Sequence, residues 1–367
     1  MTGTTFIVSC KESAMSVNPI TVSVIVPAYN ASATIGRTLE ALSRQKCSQA
    51  FEVIVVDDGS IDDTVKIVAS FGSVRYVRQK NAGPASARNH GASLAQGEFL
   101  AFTDSDCVPH EDWIMQLTER TRSLKGDRSE RSDLSPFSDL VRSGAVVVVC
   151  GSYGIANPQF ILARCVYKEI LWRHTHLMPD YPNSFGSYNF CVKKSVFDAL
   201  GGFNTAYAQA SGEDNDLSYK ITGAGWRIYF ERKALVDHYH PTLVVKYLKE
   251  QFRHGFWRLK MYRDHPAMMR GDGYTFWKDA LEIPWAGIVL LGFTLSAFHC
   301  LRLGDVVFFV VFPFWAFEIL FAIIMTRCFF EGIFFSFILL FRALSRMVGF
   351  STGILSFLFK KKEKIFQ

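Results

Sequence analysis

The sequence has no CxxC pair. Its eight cysteines (Cys10, Cys47, Cys107, Cys150, Cys165, Cys191, Cys300, Cys328) are scattered without the spacing of a zinc site or a disulfide framework. They read as reduced, structural thiols of a cytosolic compartment. No GxGxxG follows the first apolar run, which argues against a nicotinamide-dependent dehydrogenase. No internal repeat is present, and 49% hydrophobic residues exclude disordered and collagen-like compositions. The opening stretch MTGTTFIVSCKESAMS has no basic n-region and only a short apolar run, so a signal peptide is not expected and the first domain is expected to stay in the cytoplasm. Excess charge is modest, at +6 from 40 basic and 34 acidic residues, which is too mild for a dedicated nucleic-acid binder and suits an anionic lipid surface. Charge is nearly missing from one region: Ile283 to Phe359 holds 7 charged residues in 77 and 17 of the 33 phenylalanines.

From Thr21 to about Phe230, short β-branched runs alternate with helical stretches, the pattern of a mainly parallel sheet flanked by helices. Val22 to Ala28, Phe51 to Asp57, Val74 to Arg78, Glu98 to Asp104 and Ala145 to Cys150 are continuous apolar runs, as expected of strands covered on both faces. Ala33 to Gln45, Asp62 to Ser70 and Pro84 to Leu94 read as helices, the last with proline at its first position. The charged, serine-rich stretch Arg120 to Arg142 reads as a loop. The expected organisation is an extension over residues 1–20, an α/β domain over 21–242, a basic amphipathic helix and linker over 243–282, and a membrane region over 283–367.

In the linker, Leu243 to Arg263 interleaves Lys246, Lys249, Arg253, Arg258, Lys260 and Arg263 with aromatic residues, as a helix lying among lipid headgroups does. Beyond it, Ile283 to Leu301 carries no charge and Val306 to Thr326 only Glu318, against about 20 apolar residues needed to cross. Both are transmembrane candidates. Ile333 to Phe359 has Arg342 and Arg346 in its middle, each costing about 2.5 to 3.5 kcal/mol at mid-bilayer, so an interfacial helix is expected there. Two crossings also leave the Lys360 to Lys364 tail cytoplasmic.

Four clusters fall where an open α/β sheet places ligands, at the carboxyl ends of strands. Pro27-Ala28-Tyr29-Asn30 and Asp57-Asp58-Gly59-Ser60 follow consecutive strands. Either alone is an ordinary turn, but together they face one crevice, with carboxylates for a base or ribose and Tyr29 as a stacking surface. Asp104-Ser105-Asp106 holds two carboxylates close enough that a hard divalent cation, Mg²⁺ or Mn²⁺, relieves their repulsion and can bridge a diphosphate. Upstream, Gly83, a helix N-terminus and Arg88 favour anionic groups. The fourth cluster is Gly212-Glu213-Asp214-Asn215-Asp216, after Gly201-Gly202-Phe203. Further on, His238 and His240 alternate in an extended run, so only one of them can face the cleft.

VSVIVPAYN, VVDDGS, NAGPASARNHG, the strand with DSD, GGF, GEDNDLSYKI, AGW and HYH together resemble, in order and spacing, family 2 glycosyltransferases of the GT-A fold, over about Thr21 to His240. The resemblance implies that Asp57 and Asp58 contact uridine, that Asp104 and Asp106 carry the metal and sugar nucleotide, and that Asp214 is the catalytic base. It further implies His240 as a metal ligand and Gly202, Phe203 and Glu213 on the acceptor side. It thus implies a membrane-anchored, inverting enzyme moving one sugar from a nucleotide-diphosphate sugar to a lipid-linked or envelope-glycan acceptor, without nucleic acid as a partner. Gln251-Phe252-Arg253-His254-Gly255 departs from the QxxRW pattern of processive synthases, favouring single-sugar addition. Two other readings compete. Asp104-Ser105-Asp106-Cys107-Val108 also fits the DxDx[TV] pattern of haloacid-dehalogenase-like phosphatases, with Asp104 as nucleophile, and a non-catalytic membrane scaffold is the third possibility.

Overall fold

The computed structural model describes residues 20–123, 146–207, 209, 211–270 and 277–359. Most of the N-terminal extension (1–19), the serine-rich stretch from residue 124 and the lysine tail lie outside these. The chain forms two compact units, Met1–Ala156 with Met178–Tyr239, and Asn157–Leu177 with His240–Gln367.

In the first unit the apolar runs do become strands: β1 (Val22–Ala28), β2 (Phe51–Asp57), β3 (Val74–Arg78) and β4 (Phe99–Thr103). Every residue of β1, β2 and β4 is buried, because helices α1 (Ile35–Ser43), α2 (Thr64–Ala69) and α3 (Pro84–Leu94) cover the sheet. Gly91 lets α3 approach closely, since a Cβ there would meet Ile25 Cγ2 at 2.6 Å. After β4 come β5 (Cys107–Pro109), α4 (Trp113–Ser123), β6 (Val146–Ile155), β7 (Asn189–Lys193), α6 (Lys194–Ala199), α7 (Glu213–Gly223) and β8 (Arg227–His238).

The eight strands form one sheet in the order β3-β2-β1-β4-β7-β6-β8-β5. It is parallel from β3 to β4 and again between β6 and β8, while the β4–β7, β6–β7 and β5–β8 pairings are antiparallel. The mixed second half departs from a mainly parallel expectation because β7 enters the sheet beside β4 in the opposite sense. One consequence bears on the site: the β5–β8 register pairs Cys107 with His238.

The second unit is helical. It contains α5 (Ile161–His176), α8 (Val244–Asp264), α9 (Trp277–Ala297), α10 (Leu303–Thr326, with a π turn at Val307–Val311) and α11 (Phe329–Phe359). The last three are long and apolar enough to cross a membrane. Two sequence expectations are modified here. Segment Asn157–Leu177, read as part of the α/β domain, belongs to this unit because α5 buries Leu162, Cys165 and Val166 in one cluster with Phe321, Met325, Phe335 and Leu339. Nor is Arg342 an isolated charge: its Nη1 donates to both Glu169 oxygens at 2.8 Å, and Glu282 takes its Nη2. Arg346 Nη1 lies 2.8 Å from Glu282 Oε2, and Lys278 Nζ donates to Glu318 Oε1 at 2.7 Å and Glu282 Oε1 at 2.9 Å. Buried charges are tolerated when paired in this way.

Candidate active site

The loops at the carboxyl ends of β1 to β3 are held by the two aspartates that end and follow β2. Asp57 is fully buried; the Ser60 amide donates to its Oδ1 at 2.8 Å and the Tyr76 hydroxyl to its Oδ2 at 2.6 Å. Burial, then Asp57 itself, drives the Tyr76 phenol well above its ordinary pKa. Asp58 accepts from Gln79 Nε2 at 2.7 Å and from the Ala82 and Gly83 amides at 2.9 and 2.8 Å, which fastens the glycine turn opening α3. The β1 loop is bound to the β2 loop by the Asn30 amide on Ser60 Oγ and by the Ile61 amide on Asn30 Oδ1, both at 2.9 Å. Ala28 stays buried at the end of β1, whereas Tyr29 is 52% exposed and free to offer a ring face.

From α3, Arg88 and Asn89 reach across the cleft. Arg88 is buried; its Nη2 donates to Asp104 Oδ1 at 2.7 Å and its Nη1 to Glu213 Oε1 at 3.1 Å, while its guanidinium lies 5.4 Å from the Phe203 ring centre. Burial opposes its charge, but Asp104 and Glu213 outweigh that and keep it protonated. Its buried Nε has no hydrogen-bond partner. Asn89 clamps the GGF turn from both sides, accepting from the Phe203 amide at 2.9 Å and donating to the Phe203 carbonyl at 2.8 Å. Gly202 sits at φ +66° with Asn89 Oδ1 only 2.6 Å from where a Cβ would stand, so side-chain-free backbone is required there.

Asp214 stands in the first turn of α7, where its neighbour Glu213 is tied to Arg88 and, through Oε2, to the Ser211 amide at 2.8 Å. Glu213 is therefore engaged with protein on both oxygens. Asp214 accepts a hydrogen bond from the Asn215 amide at 2.8 Å. Burial, reinforced by the Glu213 charge, pushes its carboxyl up to about 7, against the opposing pull of that amide and Arg88. A carboxylate poised there exchanges protons near neutral pH.

Asp106 lies on the other side of the DSD turn, which Ser105 helps to fix by accepting Thr38 Oγ1 at 3.1 Å on its carbonyl. Its Oδ1 is 3.5 Å from His238 Nε2, and ligand atoms of Asp106, Cys107 and His238 all lie within 4.8 Å of one another. The oxygen and imidazole donors suit a hard or borderline divalent ion such as Mn²⁺. Cys107 does not: burial, then Asp106 and Asp104, holds its thiol far above the usual range, hence protonated. His238 is thus the histidine that the β5–β8 register brings to Asp106. His240 belongs to the second unit, where it is buried and exchanges backbone hydrogen bonds with the Asn157 side chain at 2.8 and 3.1 Å. Sequence reasoning left His238 as one of two alternating histidines and did not single out Gln79 or Asn89. For His238 the alternation left an even choice, and only the register decides it.

Residues 23–124 match the model of glycosyl transferase family 2. The amylovoran biosynthesis glycosyltransferase AmsB of Erwinia amylovora is 33% identical over 271 residues, covering 70% of this chain and 82% of that protein. The chain belongs to glycosyl transferase family 2. The validoxylamine A glucosyltransferase of Streptomyces hygroscopicus subsp. jinggangensis is 29% identical over 242 residues, which cover 58% of this chain and 54% of the relative. The chain thus spans about half the length of that relative. Among solved structures, glucosyl-3-phosphoglycerate synthase of Mycobacterium tuberculosis, solved with Mn²⁺, UDP and phosphoglyceric acid, aligns with a TM-score of 0.45 at 20% identity, over 66% of this chain and 78% of that one.

Proposed function

We propose that the chain transfers one sugar, with inversion, from a nucleotide-diphosphate sugar to a hydroxyl of a lipid-linked or envelope-glycan acceptor at the cytoplasmic face of the inner membrane. The observation that carries this reading is the Arg88 bridge from Asp104 to Glu213, which sets Asp214 beside it in the first turn of α7 with its carboxyl pushed up by burial and by Glu213. In this role Asp214 takes the acceptor proton as the hydroxyl attacks the anomeric carbon. Arg88 supplies positive charge beside Asp104 for the leaving diphosphate, and Tyr29 with the β1 and β2 loops receives the base, uridine in our reading. Asp57 and Asp58 shape those loops from beneath, and Gly202 and Phe203 form the acceptor side.

Asp106 and His238 would hold a divalent cation, with Asp104 close by and shared with Arg88. When bound, the ion neutralises charge developing on the leaving diphosphate. Donors of this kind fit Mn²⁺ better than Mg²⁺, since one is an imidazole. Relatives that bear the name of glycosyltransferases or glucosyltransferases support the transfer reading, and none of those described above favours a phosphatase or a scaffold.

The test is a panel of sugar nucleotides with purified protein and Mn²⁺ or Mg²⁺, reading released nucleoside diphosphate. One donor should be turned over in an acceptor-dependent manner, and Asp214→Asn should abolish turnover while donor binding persists. Turnover of phosphate esters by a variant-sensitive Asp104, with no sugar nucleotide consumed, would replace this reading by the phosphatase one.

A further inference from the structure

Length and apolarity qualify α9, α10 and α11 alike as membrane crossings, but α11 also runs beside the charged helices α5 and α8. We infer that α11 lies in the plane of the membrane surface, packed against α5 and α8, with its outer face in contact with the headgroup and upper acyl region of an anionic bilayer. This rests on the membrane reading of the proposed function and not on the transfer chemistry.

The first argument is connectivity. Helix α5 follows β6, which ends at Ile155, and leads back to β7, which begins at Asn189, so the chain enters and leaves it from strands of the sheet, through residues 156–160 and 177–188. It also carries Arg164, Lys168, Glu169, Arg173 and two histidines, and such a helix cannot stand across a hydrocarbon core. The N-terminal half of α11 runs alongside it. Glu331 accepts from Arg164 Nε and Lys168 Nζ, each at 2.7 Å, and eleven residues on, roughly 16 Å along the helix, Arg342 reaches Glu169 at 2.8 Å.

The second argument is the other half. A Cβ on Gly255 of α8 would collide with the backbone of Arg346, and one on Gly349 or Gly353 with the backbone around Phe252 and Phe256, so the two helices touch main chain to main chain. Arg346 Nε donates to Gln251 Oε1 at 2.8 Å, and Phe357 lies 5.0 Å from Phe256 and 5.7 Å from Trp257 between ring centres. Helix α8 holds six lysines and arginines among its aromatics, a load that suits headgroups and opposes a crossing. Helix α11 is therefore paired along its length with two charged elements suited to the surface, and it meets the hairpin where Gly332 approaches the backbone of Ile323 in α10 and where Arg342 and Arg346 reach Glu282 in α9.

The third argument is its outer face. Phe337, Phe341, Val348 and Leu355 are exposed and, at steps of four, seven and seven, form one stripe about 27 Å long; Phe335, Leu339, Arg342 and Ala343 are buried on the opposite side. The stripe is apolar; Phe337 at its start lies 4.7 Å from the Trp315 ring of α10, Phe341, Val348 and Leu355 stay exposed, and the cations of α8 supply the complement to anionic lipid. The α9–α10 hairpin is left as the part that enters the core.

The experiment uses the full chain in vesicles of phosphatidylethanolamine and phosphatidylglycerol, with Cys10, Cys300 and Cys328 changed to serine. A spin label is placed in turn at Phe337, Phe341, Val348 and Leu355, and its depth is read from relaxation by oxygen against a water-soluble nickel chelate. Equal, shallow depths at all four positions are expected. A depth maximum around Phe341 and Val348, with shallow values at the ends, would establish a crossing and overturn the inference; four water-exposed labels would overturn it together with the membrane reading. A cysteine added after Lys364 gives an independent readout without touching α11. An impermeant reagent should reach it from the side carrying the catalytic unit, and labelling from the opposite side alone overturns the in-plane placement. Neither readout depends on activity, so a failed transfer assay leaves this inference standing or falling by itself.

Discussion

The most exacting test of the site is the pH dependence of Asp214 and its neighbour. Asp214 acts as a base only when ionised, and its carboxyl, raised chiefly by burial and secondarily by Glu213, titrates at about 7. Below that value the ionised fraction falls tenfold per pH unit, so kcat/KM at pH 6 should be about one tenth of its plateau. Glu213→Gln removes the like charge yet leaves Arg88 Nη1 an amide oxygen to donate to, so the Arg88 bridge should survive. The acid limb should then move to lower pH by about one unit, and stop well above the ordinary aspartate range because burial is the larger cause. Plateau activity should fall modestly, whereas Asp214→Asn should lose about 10² to 10⁴ in kcat because an amide accepts no proton. The assay is donor turnover between pH 5 and 9 for wild type and both variants, with donor affinity measured separately. An acid limb that stays in place or rises in Glu213→Gln, or an Asp214→Asn enzyme that loses donor binding and keeps kcat, would refute the assignment.

Three further outcomes follow from the same geometry. His238→Ala and Asp106→Asn should each weaken Mn²⁺ binding at least tenfold in a titration with UDP present, while Cys107→Ser leaves it unchanged, because a thiol held protonated by burial and two carboxylates is no ligand for a hard ion. Gly202→Ala should lower stability by about 1 to 3 kcal/mol in a denaturant titration, since it forces a left-handed backbone on alanine and pushes its methyl into Asn89. The raised pKa of Asp214 means the native state binds a proton that the unfolded chain releases near 3.9, so its stabilisation is complete below pH 4 and is lost as pH rises through about 7. Asp214→Asn should accordingly melt higher than wild type at pH 8 and no higher at pH 4; equal melting at both would place the carboxyl in water.

The first half of the fold was legible because β1, β2 and β4 are buried on both faces and therefore read as unbroken apolar runs, and because Pro84 marks the start of α3. Strand β8 escaped because its twelve residues, broken by Glu231, Arg232 and Lys233, alternate between the sheet and solvent. With it went the register that selects His238. The acidic clusters were legible as residues while their hydrogen bonds were not: Asp57 and Asp58 each hold loop amides, and Glu213 grips Arg88. Spacing shows that carboxylates meet; it does not show which donor reaches each oxygen first.

The same limit governs the apolar half, where counting charges gave a sound cost for an unpaired arginine and could not see a pair. Arg342 finds Glu169 across 173 positions of sequence, on a helix inserted between two strands of the catalytic sheet. The pairing removes the argument that Arg342 must avoid the membrane because it is bare. In its place stands the location of Glu169, whose helix returns at both ends to the sheet and holds its partner at the surface. Both routes put α11 in the interface, but only the second predicts what happens when the pair is cut. Glu169→Gln leaves the charge of Arg342 less compensated, with Glu282 and, at 3.7 Å, Asp279 as its remaining carboxylates. Melting of the second unit should drop, and Glu169→Gln combined with Arg342→Met should recover part of the loss, because both charges of the pair are then gone while Asp279 stays on Arg173 and Lys278 and Arg346 stay on Glu282. Additive losses in the double variant, measured by thermal unfolding in the same vesicles, would show that the pair is not what holds α5 and α11 together.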